Sequence, residues 1–223
     1  MREKREALPK IKLCGLSRPC DIRSANELRP DYAGFVFAPK SRRYVSPKKA
    51  LELKGMLDKE IQAVGVFVDE DPRIIAGLVR QGVIDLVQLH GREDERYIRE
   101  LRQMLEETQV PGQRPGGCER TEIIKAFSIA SGQDAERAQR SGADVVLVDS
   151  GCGGTGEAFD WSLLKKIRRP YFLAGGLNAG NVGDAVRKLK PYGVDVSSGI
   201  ETDGSKDRKK MKEFVCAVRS AAE

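Results

Sequence analysis

The chain has 223 residues, 40% of them apolar and 32% charged, a balance that excludes a disordered or membrane-embedded polymer and fits a soluble globular protein. Its formal net charge of +6 suits an anionic ligand, either a sugar phosphate or a nucleic acid. No apolar run is long enough to cross a bilayer, and the charged start from Met1 to Glu6 leads into no apolar signal core, so a cytoplasmic protein is expected.

In chain order, β-branched and apolar runs predict strands at Ile11 to Cys14, Gly34 to Phe37, Val64 to Val68, Leu86 to Leu89, Ile123 to Phe127, Val145 to Val148, Phe172 to Ala174 and Val194 to Val196. Charged stretches with helical periodicity separate most of them, including Pro47 to Leu57, Pro72 to Gln81 and Glu95 to Leu105. The strand runs are nearly continuous apolar, as expected of strands covered on both sides. Eight such β/α units predict one domain over residues 1–223, an α/β fold of the (β/α)8 TIM-barrel type, with a charged extension at 1–9. The Pro/Gly-rich stretch Glu106 to Thr121 is expected to be a long surface loop within that domain. Basic clusters at Lys165, Lys166, Arg168 and Arg169, and at Arg208 to Lys210, accompany helically spaced apolar residues and predict solvated helix faces.

Five cysteines, widely spaced and without a C-x-x-C pair, together with a single histidine, point to neither a disulfide framework nor a metal site. A free thiol in a reducing compartment is then available as a base or nucleophile.

In this fold, functional groups collect where the strands end. Strand one ends in Lys12-Leu13-Cys14-Gly15, which puts a thiol at the barrel mouth, though a buried structural cysteine fits the same pattern. The loop after strand two carries Arg42 and Arg43, able to hold a carboxylate or simply to decorate the surface. Strand four closes on His90, a candidate for anion binding or proton transfer and equally for a structural role. Strand six ends in Asp149, whose carboxyl, if partly desolvated, would suit a general acid; a loop cap is the alternative. The glycine-rich run Gly151 to Gly156 follows as a cover or backbone cradle, and Asp160 is expected to cap a helix opening at Trp161. Strands seven and eight end in Gly175-Gly176 and in Asp195-Val196-Ser197-Ser198-Gly199, two turns of the kind that bind phosphate in barrels.

These segments, K-L-C-G at Lys12, G-F-V-F at Gly34, V-Q-L-H-G at Val87, G-G-T-G-x-x-F-D-W at Gly153, L-A-G-G-L at Leu173 and D-V-S-S-G-I-E at Asp195, occur in order. Together they resemble the phosphoribosylanthranilate isomerases from Lys12 to about Val215. The resemblance implies an Amadori rearrangement of N-(5-phosphoribosyl)anthranilate to 1-(2-carboxyphenylamino)-1-deoxyribulose 5-phosphate in tryptophan biosynthesis, an aldose–ketose isomerisation needing no metal or cofactor. It further implies Asp149 as general acid and Cys14 as base, Arg43 on the anthranilate carboxylate, and the Gly175-Gly176 and Ser198-Gly199 turns on the phosphate. His90 and Asp195 stand as secondary candidates, the first for substrate contact and the second for orienting Cys14 or the phosphate loop. The family loop S-P-R-Y is here Ser41-Arg42-Arg43-Tyr44, which removes a backbone restraint and makes Arg42 a candidate to share the carboxylate.

Other sugar-phosphate barrel enzymes would share the phosphate turns, but a synthase of the indole-glycerol-phosphate type calls for a lysine and glutamate set, and a metal-dependent epimerase for several histidine or carboxylate ligands, where this chain has one histidine. A non-catalytic nucleic-acid binder would use the basic surface, yet no aromatic-rich basic stripe is present and binding needs neither Cys14 nor Asp149. The expected partner is therefore a small anionic sugar phosphate, with no nucleic acid and no membrane; a monomer and a homodimer fit the sequence equally.

Overall fold

The computed structural model describes residues 8–107, 120–149 and 161–221. Eight parallel strands form a closed barrel in sequence order: β1 (Lys10–Cys14), β2 (Tyr32–Val36), β3 (Gln62–Phe67), β4 (Leu86–Leu89), β5 (Ile123–Ser128), β6 (Val145–Asp149), β7 (Tyr171–Ala174) and β8 (Gly193–Val196). The circle closes where β8 pairs with β1, setting Lys12 opposite Asp195 and Leu13 opposite Val196. All eight strands read from the sequence are present, each within two residues of the expected bounds.

Helices α1 (Pro19–Leu28), α2 (Pro47–Gly55), α3 (Pro72–Arg80), α4 (Glu95–Glu107), α5 (Gly132–Arg140), α6 (Val182–Leu189) and α7 (Arg208–Ala221) pack outside the barrel. Their starts follow simple chemistry. The side chains of Ser46, Asp71 and Ser131 accept hydrogen bonds from the backbone N–H groups of Lys49, Arg73 and Asp134, and proline opens α1, α2 and α3, where a missing N–H costs nothing.

Strand alternation sorts the apolar side chains into two cores. Leu13, Phe35, Val87, Leu89, Val146, Val148 and Leu173 face the helices, whereas Tyr32, Val64, Leu86, Ile124, Val145, Leu147 and Phe172 fill the barrel interior. Burying each large apolar side chain contributes roughly 1.5–3 kcal/mol before entropy, so the interior is packed matter and ligands are confined to its rim.

The structure modifies three expectations. The segment opening at Trp161 is a 3-10 helix, Trp161–Lys166, and Asp160 lies outside the described residues. Arg169 does not belong to a solvated face: it is half-buried, and its guanidinium donates to the carbonyls of Ser141, Ala143 and Asp144, tying the segment before β7 to the start of β6. Of the expected loop from Glu106 to Thr121, residues 108–119 lie outside the described set, while α4 continues through Glu107. No helix among the described residues is long and apolar enough to cross a membrane.

Candidate active site

At the C-terminal rim of the barrel a cavity of about 470 Å³ is lined by Cys14, Arg43, His90, Asp149, Gly175, Gly176, Asp195 and Ser198, together with Gln88 and Ser197. Eight of the nine residues singled out in the sequence thus share one wall. The ninth, Gly199, stands behind it. A Cβ at that position would come within 1.9 Å of the Leu177 carbonyl oxygen, so glycine is what allows the turn after β8 to lie against the turn after β7. Gly175 and Gly176 have φ of 89° and 61°, conformations that glycine adopts freely. The two turns therefore form one continuous backbone surface at the rim, with the short 3-10 helix Ser198–Ile200 beginning on it.

Cys14 and Lys12 lie two residues apart on β1 and so project into the same interior. Lys12 is wholly buried, and its ammonium donates to Asp195 Oδ1 at 2.9 Å across the β1–β8 seam. Burial pushes the Cys14 thiol above its ordinary pKa; the Lys12 ammonium pulls against that, Asp195 pushes with it, and Lys206 adds a weaker downward pull. Burial would likewise push the Lys12 ammonium down, but Asp195 and Cys14 outweigh it and hold it charged. Asp195 thus acts on the thiol both directly and through Lys12, which the sequence reading did not include.

Arg43 is gripped from behind. Its Nε and one terminal nitrogen donate to the two carboxylate oxygens of Glu201, at 2.6 and 2.8 Å, and Lys206 Nζ donates to the same carboxylate at 2.7 Å. Burial would raise the Glu201 carboxyl, yet its bonds from Arg43 and Lys206 prevail and hold it at about 2. Arg42 also donates to Glu201, at 3.0 Å, and is absent from the cavity wall, so it braces the same carboxylate that holds Arg43. The loop lacking the family's proline is restrained by other means: Ser41 Oγ accepts from the Arg43 N–H at 3.1 Å, and Tyr44 forms a bridge to Val36 at the end of β2. The room left by Gly15, whose φ is 78°, is taken by the Arg43 side chain, since a Cβ there would meet Arg43 Cδ at 2.5 Å.

His90 opens onto the cavity at the end of β4. The residue is exposed at the rim, and partial desolvation of its ring lowers its pKa against the opposing influence of Asp149 and Asp195. The following loop is pinned by a buried pair: Lys125 Nζ donates to Glu93 and to the Gly91 carbonyl, both at 2.8 Å, and Glu93 accepts the N–H groups of Gly91 and Asp69. Asp149, half-buried at the end of β6, faces the same cavity, and the glycine run Gly151 to Gly156 that follows it lies outside the described residues.

Lys12, Gln88, Glu201 and Lys206 are neighbours of the candidate residues that sequence reasoning missed. Parity would have found the first two: Lys12 shares its strand face with Cys14, and Gln88 with His90. Among the described residues, no cluster of three or more histidine, cysteine or acidic side chains has the geometry of a metal site.

A family model described as N-(5'phosphoribosyl)anthranilate (PRA) isomerase matches residues 11–114 and 116–217. The N-(5'-phosphoribosyl)anthranilate isomerase of Endomicrobium trichonymphae is 43% identical over 217 residues, which span 96% of this chain and 100% of that one. Among solved structures, phosphoribosyl anthranilate isomerase from Thermotoga maritima matches with a TM-score of 0.80 at 33% identity, covering 96% of this chain and 100% of the other. A phosphoribosyl anthranilate isomerase in complex with reduced 1-(o-carboxyphenylamino)-1-deoxyribulose 5-phosphate matches with a TM-score of 0.78 at 32% identity, with the same coverage.

Proposed function

Since the chain belongs to the N-(5'-phosphoribosyl)anthranilate isomerase family, we propose that Cys14 and Asp149 are the base and the acid of its reaction and that Arg43 and the two glycine turns hold the substrate's ends. The activity is the isomerisation of N-(5'-phosphoribosyl)anthranilate within tryptophan biosynthesis. The observation that supports the assignment is the placement of one thiol and one carboxyl on the same cavity wall, with an arginine and a phosphate-type turn beside them.

Asp149 gives a proton to the furanose ring oxygen, the C1–O bond breaks, and the anthranilate nitrogen lone pair forms the C1=N bond of a Schiff base. The positive nitrogen acidifies the proton on C2. Cys14, as thiolate, removes it, and the C2–H electrons form the C1=C2 bond of an enolamine while the C=N electrons return to nitrogen. Loss of the O2 proton and protonation at C1 then give the ketone. Electrons move only within the substrate, so the reaction is an internal aldose–ketose redox exchange that two proton-transfer groups can serve without a cofactor. Lys12 sustains the thiolate and Asp195 keeps Lys12 charged. The adjoining turns present backbone to the phosphate, and a fixed guanidinium meets the anthranilate carboxylate, which orients C2 toward the base.

The test is turnover of phosphoribosylanthranilate by the purified protein after exhaustive chelation, beside Cys14→Ala and Asp149→Asn. Each variant is expected to retain its fold and to lose about 10²–10⁴-fold in kcat. Full activity in either one removes that residue from the mechanism, and wild-type activity that vanishes on chelation overturns the cofactor-free reading.

A further inference from the structure

Gln88 lies on the interior face of β4, two residues before His90, and is 1% exposed. Its Nε2 is 3.1 Å from His90 Nδ1. Its Oε1 is the one buried side-chain oxygen or nitrogen among the described residues that has no hydrogen-bond partner. An unpaired buried carbonyl is destabilising, and a leucine or methionine of similar volume would avoid that cost. The amide therefore brings something that packing does not require.

We propose that Gln88 is a positioning residue that fixes the single imidazole proton of His90 on Nε2, so that His90 donates a hydrogen bond to a sugar oxygen of the substrate and takes no part in proton transfer. With Nε2 of the amide toward the ring, its N–H donates and Nδ1 is the unprotonated nitrogen; the reversed amide would set Oε1 against an Nδ1–H, the opposite tautomer, which 1H–15N spectra of the ring tell apart. The remaining ring N–H, on Nε2, is then the group left to serve the cavity that His90 lines. Partial desolvation disfavours the imidazolium, and the surrounding charges are mixed, Asp149 and Asp195 favouring it and Lys12 and Lys125 opposing it. A neutral donor suits this reaction. A second acid beside Asp149 would protonate the enolamine at random, whereas a weak, directed donor can hold the sugar chain in place without competing for protons. The sugar-oxygen contact rests on the isomerase reading above, while the tautomer does not.

His90 is the only histidine of the chain, so its ring nitrogens can be read without ambiguity in two-bond 1H–15N correlation spectra of the labelled, substrate-free protein. At pH 8 the wild type is expected to show the proton wholly on Nε2 and Nδ1 shifted as a hydrogen-bond acceptor. A proton on Nδ1, or the mixed tautomers of a free imidazole, overturns the proposal whatever the enzyme's activity. In Gln88→Leu the tautomers are expected to mix, kcat/KM to fall about tenfold, and the melting temperature to stay level or rise, because the orphaned carbonyl is gone. A purely packing role for Gln88 predicts the reverse, a lower melting temperature with the tautomer unchanged. Gln88→Glu, whose carboxylate only accepts, is expected to draw the proton to Nδ1 and to leave activity low; full activity with the proton on Nδ1 removes the donor role of His90. A wild-type enzyme without turnover but with Nε2 protonated would refute the isomerase reading alone.

Discussion

Glu201 holds Arg43 by the side of its guanidinium, through Nε and one terminal nitrogen, and leaves the end of the fork open. Arginine has five N–H donors, two of which serve Glu201; of the three that remain, one on each terminal nitrogen points end-on toward an approaching carboxylate. Glu201→Gln keeps the shape but loses the charge that fixes the guanidinium. We expect KM for phosphoribosylanthranilate to rise about tenfold and kcat to change less than about threefold, since the contact is made equally in ground and transition states. Arg43→Lys should resemble it, because an ammonium cannot satisfy Glu201 and a carboxylate in the same way. Steady-state kinetics decide; an unchanged KM in both variants would mean that Arg43 does not carry the carboxylate.

The pair behind the thiol predicts a different pattern. Lys12→Met leaves Asp195 as a buried carboxylate without its cation, a change that typically costs about 3–5 kcal/mol. It also removes the ammonium that favours the Cys14 thiolate. Denaturant unfolding should show the loss, and the double variant Lys12→Met/Asp195→Asn should recover most of the stability while its kcat stays low. Recovery of both stability and kcat in the double variant would show that Lys12 serves the fold alone.

These two relationships also mark where the sequence stops being legible. The barrel could be read from the recurrence of apolar runs, because eight strands covered on both faces leave little choice of residue. The gathering of Cys14, Asp149 and the glycine turns at one rim could be read because strand ends meet there in this fold, and position along the strand survives in the sequence. Lys12 and Glu201 were missed for one reason: their importance lies in partners more than a hundred residues away, Asp195 for the first and Arg43 for the second. A lysine within an apolar run suggests either an edge or a buried ion pair, and only closure of β8 on β1 decides between them. Arg169 failed in the opposite sense, since helical spacing of its neighbours says nothing about backbone carbonyls from the preceding unit that need a donor.

The state of the thiol gives the reaction a pH signature. Burial raises the Cys14 pKa, so in the free enzyme the thiolate is the minor form at neutral pH. kcat/KM, which reports free-enzyme ionisations, should rise with pH and should not level off before the ordinary thiol value of about 8.5. The sign for stability is opposite. A raised folded pKa means the unfolded chain releases this proton first, so the contribution is complete below the unfolded value and is lost as pH rises through the folded one. In Lys12→Met, which removes the opposing ammonium and leaves Asp195 in place, the rising limb should move to still higher pH. A wild-type profile that is flat from pH 6 to 9 would exclude Cys14 as the base.

The contact between the two turns sets the last expectation. Because a Cβ on residue 199 would lie 1.9 Å from the Leu177 carbonyl oxygen, Gly199→Ala must push the turn after β8 away from the turn after β7. Neither Cys14 nor Asp149 belongs to either turn, so the damage should fall on phosphate binding first. KM should rise about tenfold or more, inhibition by inorganic phosphate should weaken in parallel, and overpacking should cost about 1–3 kcal/mol of stability. Gly175→Ala tests the same surface from its other half, through a φ of 89° that alanine adopts only under strain. If both variants bound phosphate as tightly as the wild type, the anion would have to sit elsewhere on the rim, and the orientation of C2 toward Cys14 would need another anchor.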